Sequence, residues 1–476
     1  MRRTGRRSDA SVTHCARESQ RTNRDWRGLQ RESHMAKEKI RQDRLQKLDA
    51  LRELGVDPYG GRVDLTGMIA AVRAECPDEV PEDGAGPTVT VAGRVMAVRD
   101  MGKSKWLDLR DRSGTIQVNL LKKKVGEAFA QAAHLDIGDF LAVTGSLQKS
   151  RRGEITVFAE SFRFLCKSIE PLPAKWKGLR DVELRYRRRY LDLVANEESL
   201  DRFVLRSRII REIRRFMEDR GYIEVETPML QPIYGGAAAR PFVTHHQALD
   251  LDLFLRISPE TYLKRLLVGG MDRVFEINRN FRNEGIDTAH NPEFTMIEWY
   301  QAYADYEVLM DMTEALVSTC AREVLGTTEV AYGEHTIDFA PPGPRRRMHD
   351  LVREVADVDP EDAEALRARC RETGVAPEAL EGADTDHLLA EVMDEVVEPT
   401  LIQPTFVTHY PASLNPLSKR NAEKPALTDR FEVIVAGMEL ANAFSELNDP
   451  AEQRARFEEQ VAWADEEGYC NAVDED

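Results

Sequence analysis

Between residues 89 and 164 apolar and polar residues alternate, and this two-residue period is the feature that most constrains the fold. In the segment TIQVNL, Ile116, Val118 and Leu120 fall on one face of an extended chain and the polar residues on the other. TVTVAGRVMAVR, DFLAVTGSL and EITVFAESFRF repeat the pattern, with glycine-containing turns between them. Roughly five short strands in such a length predict a small closed barrel of the OB-fold type.

After the barrel the period changes to that of a helix. Ile209, Ile213, Phe216 and Met217 fall on one side of a helix that ends before Gly221. The segment YIEVETPML then predicts a strand, and strands alternate with helices from there onward, which indicates an α+β domain. The predicted organisation is an N-terminal helical segment over 35–85, the barrel over 86–170, a linker over 171–199, and a larger domain over 200–476 with a helical insertion at about 345–400.

Residues 1–34 are rich in arginine, serine and threonine and nearly devoid of aliphatic residues. Such a segment cannot bury enough apolar surface to fold alone. It is therefore expected to be disordered, or untranslated if synthesis begins at Met35. A basic arm that touches RNA and an organelle transit peptide are the alternatives.

Composition excludes several classes of protein. No run of 18 apolar residues is present, so the sequence offers no membrane span. Its six cysteines include no C-x-x-C pair, which disfavours zinc sites and disulfides and suits the cytoplasm. The formal charge of −17 disfavours indiscriminate nucleic-acid binding, although basic clusters such as Lys122–Lys124 lie within the barrel.

The stretch FRNEGIDTAHNPEFTMIEWY predicts a hairpin that carries a nucleotide. A guanidinium can hold a phosphate through two charge-assisted hydrogen bonds, and an aromatic ring can cover a purine. Arg282 and Phe294 supply these groups on either side of the turn. The alternative is that Arg282 and Glu284 form a surface ion pair while Phe294 lies in the core.

In its wider context this hairpin resembles motif 2 of class II aminoacyl-tRNA synthetases, and in detail the bacterial-type lysyl-tRNA synthetases of subclass IIb. The resemblance runs from about Met35 to Phe457 and includes GYIEVETPMLQPIYGGAAARPFVTHH, EPTLIQPTFVTHYPASLNPLSK and DRFEVIVAGMELANAFSELNDP. It implies an OB-fold barrel followed by an antiparallel catalytic sheet flanked by helices. It also implies a homodimer that uses ATP, Mg²⁺, L-lysine and tRNA-Lys.

Matching positions transfer the family's roles in ATP binding. Arg282 would be the catalytic group that contacts the α-phosphate and the lysine carboxylate. The residues that would place the ATP with it are Glu284, His290, Asn291, Phe294, Glu432 and Glu439. Glu432 and Glu439 would also bind the metal ion. Their spacing of seven puts them on opposite faces of one strand unless a bulge or bend intervenes.

Lysine recognition calls for carboxylate acceptors around a cation and an aromatic wall along its methylenes. An aspartate or asparagine pocket would instead need a cation or an amide. The matching positions are Gly236, Ala237, Glu260, Glu298, Tyr300, Asn442, Phe444 and Glu446. Any single glutamate among them could be an ordinary surface residue, but three at matching positions favour a lysine pocket.

Two further roles follow from the resemblance. Trp106 and Gln117 occupy the barrel positions that the family uses on anticodon bases, with tryptophan where phenylalanine is usual. The alternative for Trp106 is a place in the barrel core. Pro228 and the helix before it match motif 1, which builds the dimer interface.

The sequence departs from the family after Glu446. No Gly-x-Gly-x-Asp-Arg pattern follows, so the third motif, with its arginine for the ATP γ-phosphate, is expected to be missing. The catalytic sheet would then lack a strand. Met438 and Ala443 also stand where relatives usually have arginine and glycine. The alternative to an active ligase is therefore a catalytically impaired tRNA-binding protein.

Overall fold

The computed structural model describes residues 35–78, 86–172, 179–237, 239–287, 290–376, 380 and 382–467. The predicted leader, residues 1–34, lies outside this set. The chain divides into two compact units, Met1–Phe203 and Val204–Asp476. Within the described ranges, no helix is both long and apolar enough to cross a membrane.

The first unit is built on a closed five-stranded barrel with strand order β1-β2-β3-β5-β4. All neighbouring strands are antiparallel except β3 and β5, which are parallel. The elements are α1 (35–53), α2 (Ile69–Ala74), β1 (Thr88–Asp100), β2 (Ser104–Arg110), β3 (Thr115–Leu121), α3 (Lys122–Val125), a 3₁₀ helix (Gly126–His134), β4 (Phe140–Lys149), β5 (Ile155–Cys166), α4 (Val182–Arg187) and α5 (Arg189–Ala195).

The predicted alternation is confirmed in the barrel. Ile116, Val118 and Leu120 are fully buried, and they share one core with Leu51 of α1 and Ile69 of α2. The barrel therefore forms because each strand turns its apolar residues inward and closure leaves no unpaired edge. The predicted OB-fold barrel is confirmed.

The second unit contains most of the remaining elements, and the division between units falls within α6 (Glu197–Glu218). Its elements up to the insertion are β6 (Ile223–Glu224), β7 (Leu230–Gln231), β8 (Phe242–His246), β9 (Leu251–Leu255), α7 (Glu260–Val268), β10 (Arg273–Phe281), β11 (Glu293–Gln301), α8 (Tyr306–Leu325), β12 (Glu329–Tyr332), β13 (His335–Asp338) and β14 (Arg345–Arg347). Phe216 and Met217 of α6 are buried against Phe275 and Leu316, on the predicted helix face.

The helical insertion packs into one core with Val407 and Ile434 of the sheet, and the chain then returns to the sheet. Its elements are α9 (Met348–Leu351), a π-helical turn (Val352–Ala356), α10 (Ala363–Thr373), α11 (Thr385–Val392), a second π-helical turn (Met393–Val397) and a 3₁₀ turn (Glu398–Thr400). After it come β15 (Thr405–Thr408), β16 (Arg430–Val435), β17 (Met438–Phe444) and α12 (Pro450–Glu467).

The strands of the second unit form several sheets, with orders β11-β10-β6, β14-β15-β16-β17, β7-β9-β8 and β12-β13. Most pairs are antiparallel, as predicted, but β10–β6 and β14–β15 are parallel. The predicted strand YIEVETPML is wrong as a single element. It consists of β6 and β7, which pair with different sheets, and Pro228 between them has no N–H to continue a ladder.

We expect Gly145→Ala to destabilise the barrel by about 1–3 kcal/mol or more, because overpacking forces backbone shifts. A Cβ on Gly145 would lie 2.2 Å from the carbonyl oxygen of Phe158 on β5. Amide hydrogen exchange of β4 and β5 measures the effect. Gly61→Ala is the matched control, since a Cβ there would meet nothing within 4 Å. Equal protection of both strands in the two variants would contradict the expectation.

Candidate active site

The hairpin β10–β11 gathers three of the predicted site residues on one face. Its strands pair without interruption from Arg273 opposite Gln301 to Phe281 opposite Glu293. Because side chains alternate along a strand, Phe294, Glu298 and Tyr300 point to the same side.

Arg282 follows β10 directly and lies against Phe294. Its backbone N–H donates to the carbonyl oxygen of Pro292 at 2.9 Å, which extends the ladder, and its guanidinium carbon is 5.2 Å from the centre of the Phe294 ring. In the described part of the chain Arg282 forms no ion pair with Glu284, and its guanidinium packs on Phe294 instead. The surface-pair alternative is therefore wrong.

The loop beyond Arg282 carries the other predicted ATP residues on its surface. Glu284, His290 and Asn291 are all exposed. His290 is held by Asp287, whose carboxylate lies 2.8 Å from Nδ1, and Asn291 donates to the carbonyl oxygen of Glu293. These contacts orient the loop, but they do not join the three side chains to Arg282.

The hairpin β16–β17 places the two predicted metal ligands on neighbouring strands. Glu432 of β16 is opposite Asn442 of β17, and Ile434 is opposite Glu439. The register shifts after Val433, so β17 contains one extra residue, Leu440. This bulge and the turn bring Glu439 to the face of Glu432 and Asn442. Glu432 and Glu439 therefore do not lie on opposite faces, as they would on one continuous strand.

Negative charge accumulates around this hairpin. Loss of hydration and then the charge of Glu432 raise the pKa of the Glu439 carboxyl, which the charge of Arg282 lowers. From the second π-helical turn, Asp394 has a pKa raised to about 6, first by burial and then by Glu432. Burial and then Asp394 raise the pKa of Glu398 to about 8. The cluster would therefore be stabilised by a cation.

The carboxylates suit Mg²⁺ in part. Among the described residues, no group of three or more His, Cys, Asp or Glu side chains could hold a metal ion. Mg²⁺, however, is often held by one or two carboxylates together with phosphate oxygens and water. Glu432 accepts hydrogen bonds from the Tyr410 hydroxyl and Arg430, and Glu439 accepts one from Asn442, so both carboxylates are oriented.

A second carboxylate group surrounds Lys264 of α7. The Nζ of Lys264 lies 2.6 Å from Glu260, one turn earlier on the helix, and 2.6 Å from Glu446, which follows β17. It is also 5.7 Å from the centre of the Phe444 ring. Burial opposes the charge of Lys264, but the two carboxylates outweigh it and raise its pKa.

Glu298 is the third carboxylate of this group, and among the described residues it forms no ion pair. Its carboxylate accepts hydrogen bonds from the hydroxyls of Ser258 at 2.9 Å and Tyr300 at 3.1 Å. Burial, followed by the charge of Glu260, raises the pKa of Glu298 to about 8. Burial and then the opposing effects of Lys264 and Glu260 leave the pKa of Glu446 at about 7. The pocket therefore holds more acid groups than positive charge.

Gly236 forms a close-packed wall of the same pocket. Its φ is +85°, and a Cβ on it would lie 2.8 Å from Cβ of Glu260. Glycine is thus needed both for the backbone conformation and for the approach to Glu260. Ala237 follows it and is half-buried.

The remaining predicted residues are Trp106 and Gln117 in the first unit and Pro228 in the second. In the barrel, Trp106 alternates with buried Leu107 and is half-buried on the outer side of β2, with its ring 6.2 Å edge-on from Phe158. The core alternative for Trp106 is therefore wrong. Gln117 accepts a hydrogen bond from the Thr156 hydroxyl at 3.1 Å. In the second unit Pro228 is exposed between β6 and β7.

Sequence reasoning missed Lys264, Ser258, Tyr410 and Arg430. Lys264 follows Glu260 by four residues in ETYLK, and that spacing on a helix predicts an ion pair. Ser258 and Tyr410 had no such signal, because they contact Glu298 and Glu432 from segments far away in sequence. Arg430 is two residues before Glu432 on β16, and that spacing on a strand could have indicated the contact.

Two family models match this chain. The model described as tRNA synthetases class II (D, K and N) matches residues 181–473, and the model described as OB-fold nucleic acid binding domain matches residues 89–165. The chain therefore belongs to the class II tRNA synthetases of the D, K and N group.

Within that family, the similar proteins are lysine–tRNA ligases. The lysine–tRNA ligase of Pelotomaculum thermopropionicum is 51% identical over 90% of this chain and 87% of its own length. Those of Carboxydothermus hydrogenoformans and Enterococcus faecalis are 50% and 48% identical, each over 91% of this chain and 88% of the relative. The resemblance to lysyl-tRNA synthetases is confirmed, and the loss of the third motif stays a prediction.

We expect Glu298→Gln to become increasingly stable relative to the wild type as pH rises from about 5 to 8. The raised pKa means that the stability contributed by protonated Glu298 is complete below the unfolded pKa and is lost as pH rises through about 8. Denaturant titrations at several pH values measure this difference. Glu293→Gln, at an exposed position of β11, is the control. A difference that does not change with pH would contradict the expectation.

Proposed function

We propose that this chain is a lysine–tRNA ligase. A carboxylate oxygen of lysine attacks the α-phosphorus of ATP and displaces pyrophosphate, which gives lysyl-adenylate. A hydroxyl of the 3′-terminal ribose of tRNA-Lys then attacks the adenylate carbonyl and displaces AMP. The observation that carries the proposal is the group of carboxylates Glu260, Glu298 and Glu446 around one pocket, in a chain about half identical to lysine–tRNA ligases.

Recognition of lysine follows from the donors that each partner offers. An ammonium has three donors and no acceptor, so it requires acceptor oxygens. Glu298 offers carboxylate oxygens that only hydroxyl groups contact in the described structure. Phe444 and Tyr300 would line the methylenes, and Asn442 would lie beside them. Gly236 and Ala237 would leave room for the α-amino end.

Activation of the carboxylate would depend on positioning and charge. Arg282 would hold the α-phosphate and the lysine carboxylate through its guanidinium, and Phe294 would cover the adenine. Glu284, His290 and Asn291 would place the ATP together with Arg282. Glu432 and Glu439 would hold Mg²⁺, which, when bound, would neutralise charge on the phosphates. Such preorganised charge lowers the barrier without a side-chain nucleophile.

Binding of tRNA-Lys would use the barrel. Trp106 offers a partly exposed ring on the outer side of β2, and Gln117 is on the neighbouring strand with its amide oriented by Thr156. Bases of single-stranded RNA stack on such aromatic platforms and are read by amide groups. These two residues would therefore contact the anticodon. We place the enzyme in the cytoplasm.

A homodimer would involve the surface around Pro228. Ile223, Met229 and Leu230 are large apolar residues in that segment and are 45–49% exposed. Apolar residues grouped on a surface commonly mark protein–protein contacts. Sedimentation analysis of the purified chain tests this assignment, and a concentration-independent monomer would contradict it.

We expect lysine, but neither aspartate nor asparagine, to support ATP–pyrophosphate exchange by this chain. The pocket offers acceptors for a cation and no cation for an acidic side chain. Isotope exchange into ATP with each amino acid measures this selectivity. Binding of tRNA without exchange for any amino acid would favour the alternative of a catalytically impaired tRNA-binding protein.

We expect Arg282→Lys to lower the exchange rate by roughly 10²–10³-fold, a loss typical of removing one donor from developing charge. Lysine keeps the positive charge but not the planar fork that holds two oxygens. Steady-state exchange kinetics measure kcat and KM for both substrates. Arg279→Lys, two strand positions short of the hairpin end and paired with Glu293, is the control. Similar losses in both variants would contradict a specific role.

We expect Trp106→Ala to weaken tRNA binding by roughly 5- to 150-fold, the loss of one stacked base of about 1–3 kcal/mol. Trp106→Phe should restore most of the affinity because it keeps an aromatic face. Filter-binding titrations at fixed salt measure both. Exchange, which needs no tRNA, should stay at the wild-type rate. An unchanged affinity in the alanine variant would remove Trp106 from the interface.

A further inference from the structure

We propose that Lys264 is a specificity-determining residue of the lysine pocket. Its Nζ pairs with Glu260 and Glu446 at once, so that these carboxylates offer a side-chain ammonium hydrogen-bond acceptors rather than donors. The inference rests on the proposed function and deepens it. It assigns a role to the positive charge of Lys264, which lies among the carboxylates that would accept hydrogen bonds from the substrate.

The geometry gives Lys264 both carboxylates at once. Its Nζ lies 2.6 Å from oxygens of Glu260 and of Glu446, distances of charge-assisted hydrogen bonds. Glu260 is on the same helix, four residues earlier, whereas Glu446 comes from the segment after β17. That segment is fixed by backbone hydrogen bonds from Lys419 to Ser445 and from Leu447 to Leu417. Lys264 therefore holds together two independent parts of the pocket.

The need for an internal cation follows from burial. Carboxyl groups that are buried near one another take up protons, and a protonated carboxyl presents an O–H donor. Each carboxyl group that is protonated therefore removes one acceptor from an ammonium group, which can only donate hydrogen bonds. A positive charge beside the carboxylates favours their ionised form, and the pKa of Glu446 is lowered by Lys264 against the effects of burial and of Glu260.

The other charged groups around the pocket do not replace Lys264. On β11, Glu298 and Tyr300 face it and contribute acidic groups only. On β10, Glu276 forms its own buried ion pair with Arg256, 2.8 Å apart. Glu298 interacts with the charge of Lys264 more weakly than with that of Glu260. Lys264 is thus the cation that makes direct contact with Glu260 and Glu446 among the described residues.

We expect Lys264→Met to increase the number of protons released when lysine binds. Without the internal charge the pKa of Glu446 rises, so that more protons must leave before the ligand's ammonium finds acceptors. The pH above which lysine affinity stops increasing should move upward by roughly 1–3 units. Calorimetric titrations of the full chain with lysine, in buffers of different ionisation enthalpy, count these protons across pH.

Lys264→Arg should restore the wild-type proton count, since it returns the charge. Arg265→Met is the matched control on the same helix; its guanidinium is 4.9 Å from the Tyr262 ring. The preference for lysine over its uncharged isostere norleucine at pH 7 should narrow in Lys264→Met alone.

Two outcomes separate this inference from the proposed function. If the wild type binds lysine and Lys264→Met weakens binding with an unchanged proton count and pH dependence, Lys264 is only structural and the inference is overturned. If the wild type binds no lysine, the proposed function fails, and the inference fails with it.

Discussion

The candidate site depends on crowded carboxylates. Glu260, Glu298 and Glu446 share one pocket, and Glu432 and Glu439 form a second group within electrostatic reach of Arg282. Like charges in a partly dry site repel and are poorly hydrated, which raises their pKa values. Paired strands hold the groups in place, and a bound cation would relieve the repulsion between them. Under the proposed function, amino-acid choice and metal binding would both follow from this one electrostatic arrangement.

The two hairpins supply the precision. Continuous pairing of β10 with β11 fixes Phe294, Glu298 and Tyr300 on one face. The bulge at Leu440 brings Glu439 to the face of β17 that Glu432 shares. A site built on strands moves less than one built on loops. Glu284, His290 and Asn291 differ from these residues because they are exposed and lie outside the paired strands.

The sequence predicts the barrel well because its alternation is local: TIQVNL needs no knowledge of distant residues to place Ile116, Val118 and Leu120 inside. The site residues came from matching positions in a family, which carries information that one sequence lacks. Strand pairing was harder to predict. YIEVETPML has the composition of one strand, yet its two ends pair with different sheets. The bulge at Leu440 leaves no mark in composition either, since it is defined only against the partner strand.

Lys264 shows why a family's list of binding residues does not complete a binding site. The substrate and Lys264 carry the same side chain, so both need acceptor oxygens, and an internal lysine competes with the ligand if both use the same ones. Competition is avoided if the two cations use different oxygens. Glu260 and Glu446 contact Lys264, whereas Glu298 meets only the hydroxyls of Ser258 and Tyr300. A hydroxyl can rotate to another acceptor at little cost when an ammonium arrives, whereas displacing Lys264 would break two ion pairs at once. Under the proposed function, the ligand's ammonium would reach Glu298 in place of the two hydroxyls, and Glu260 and Glu446 would offer it the oxygens that Lys264 does not contact.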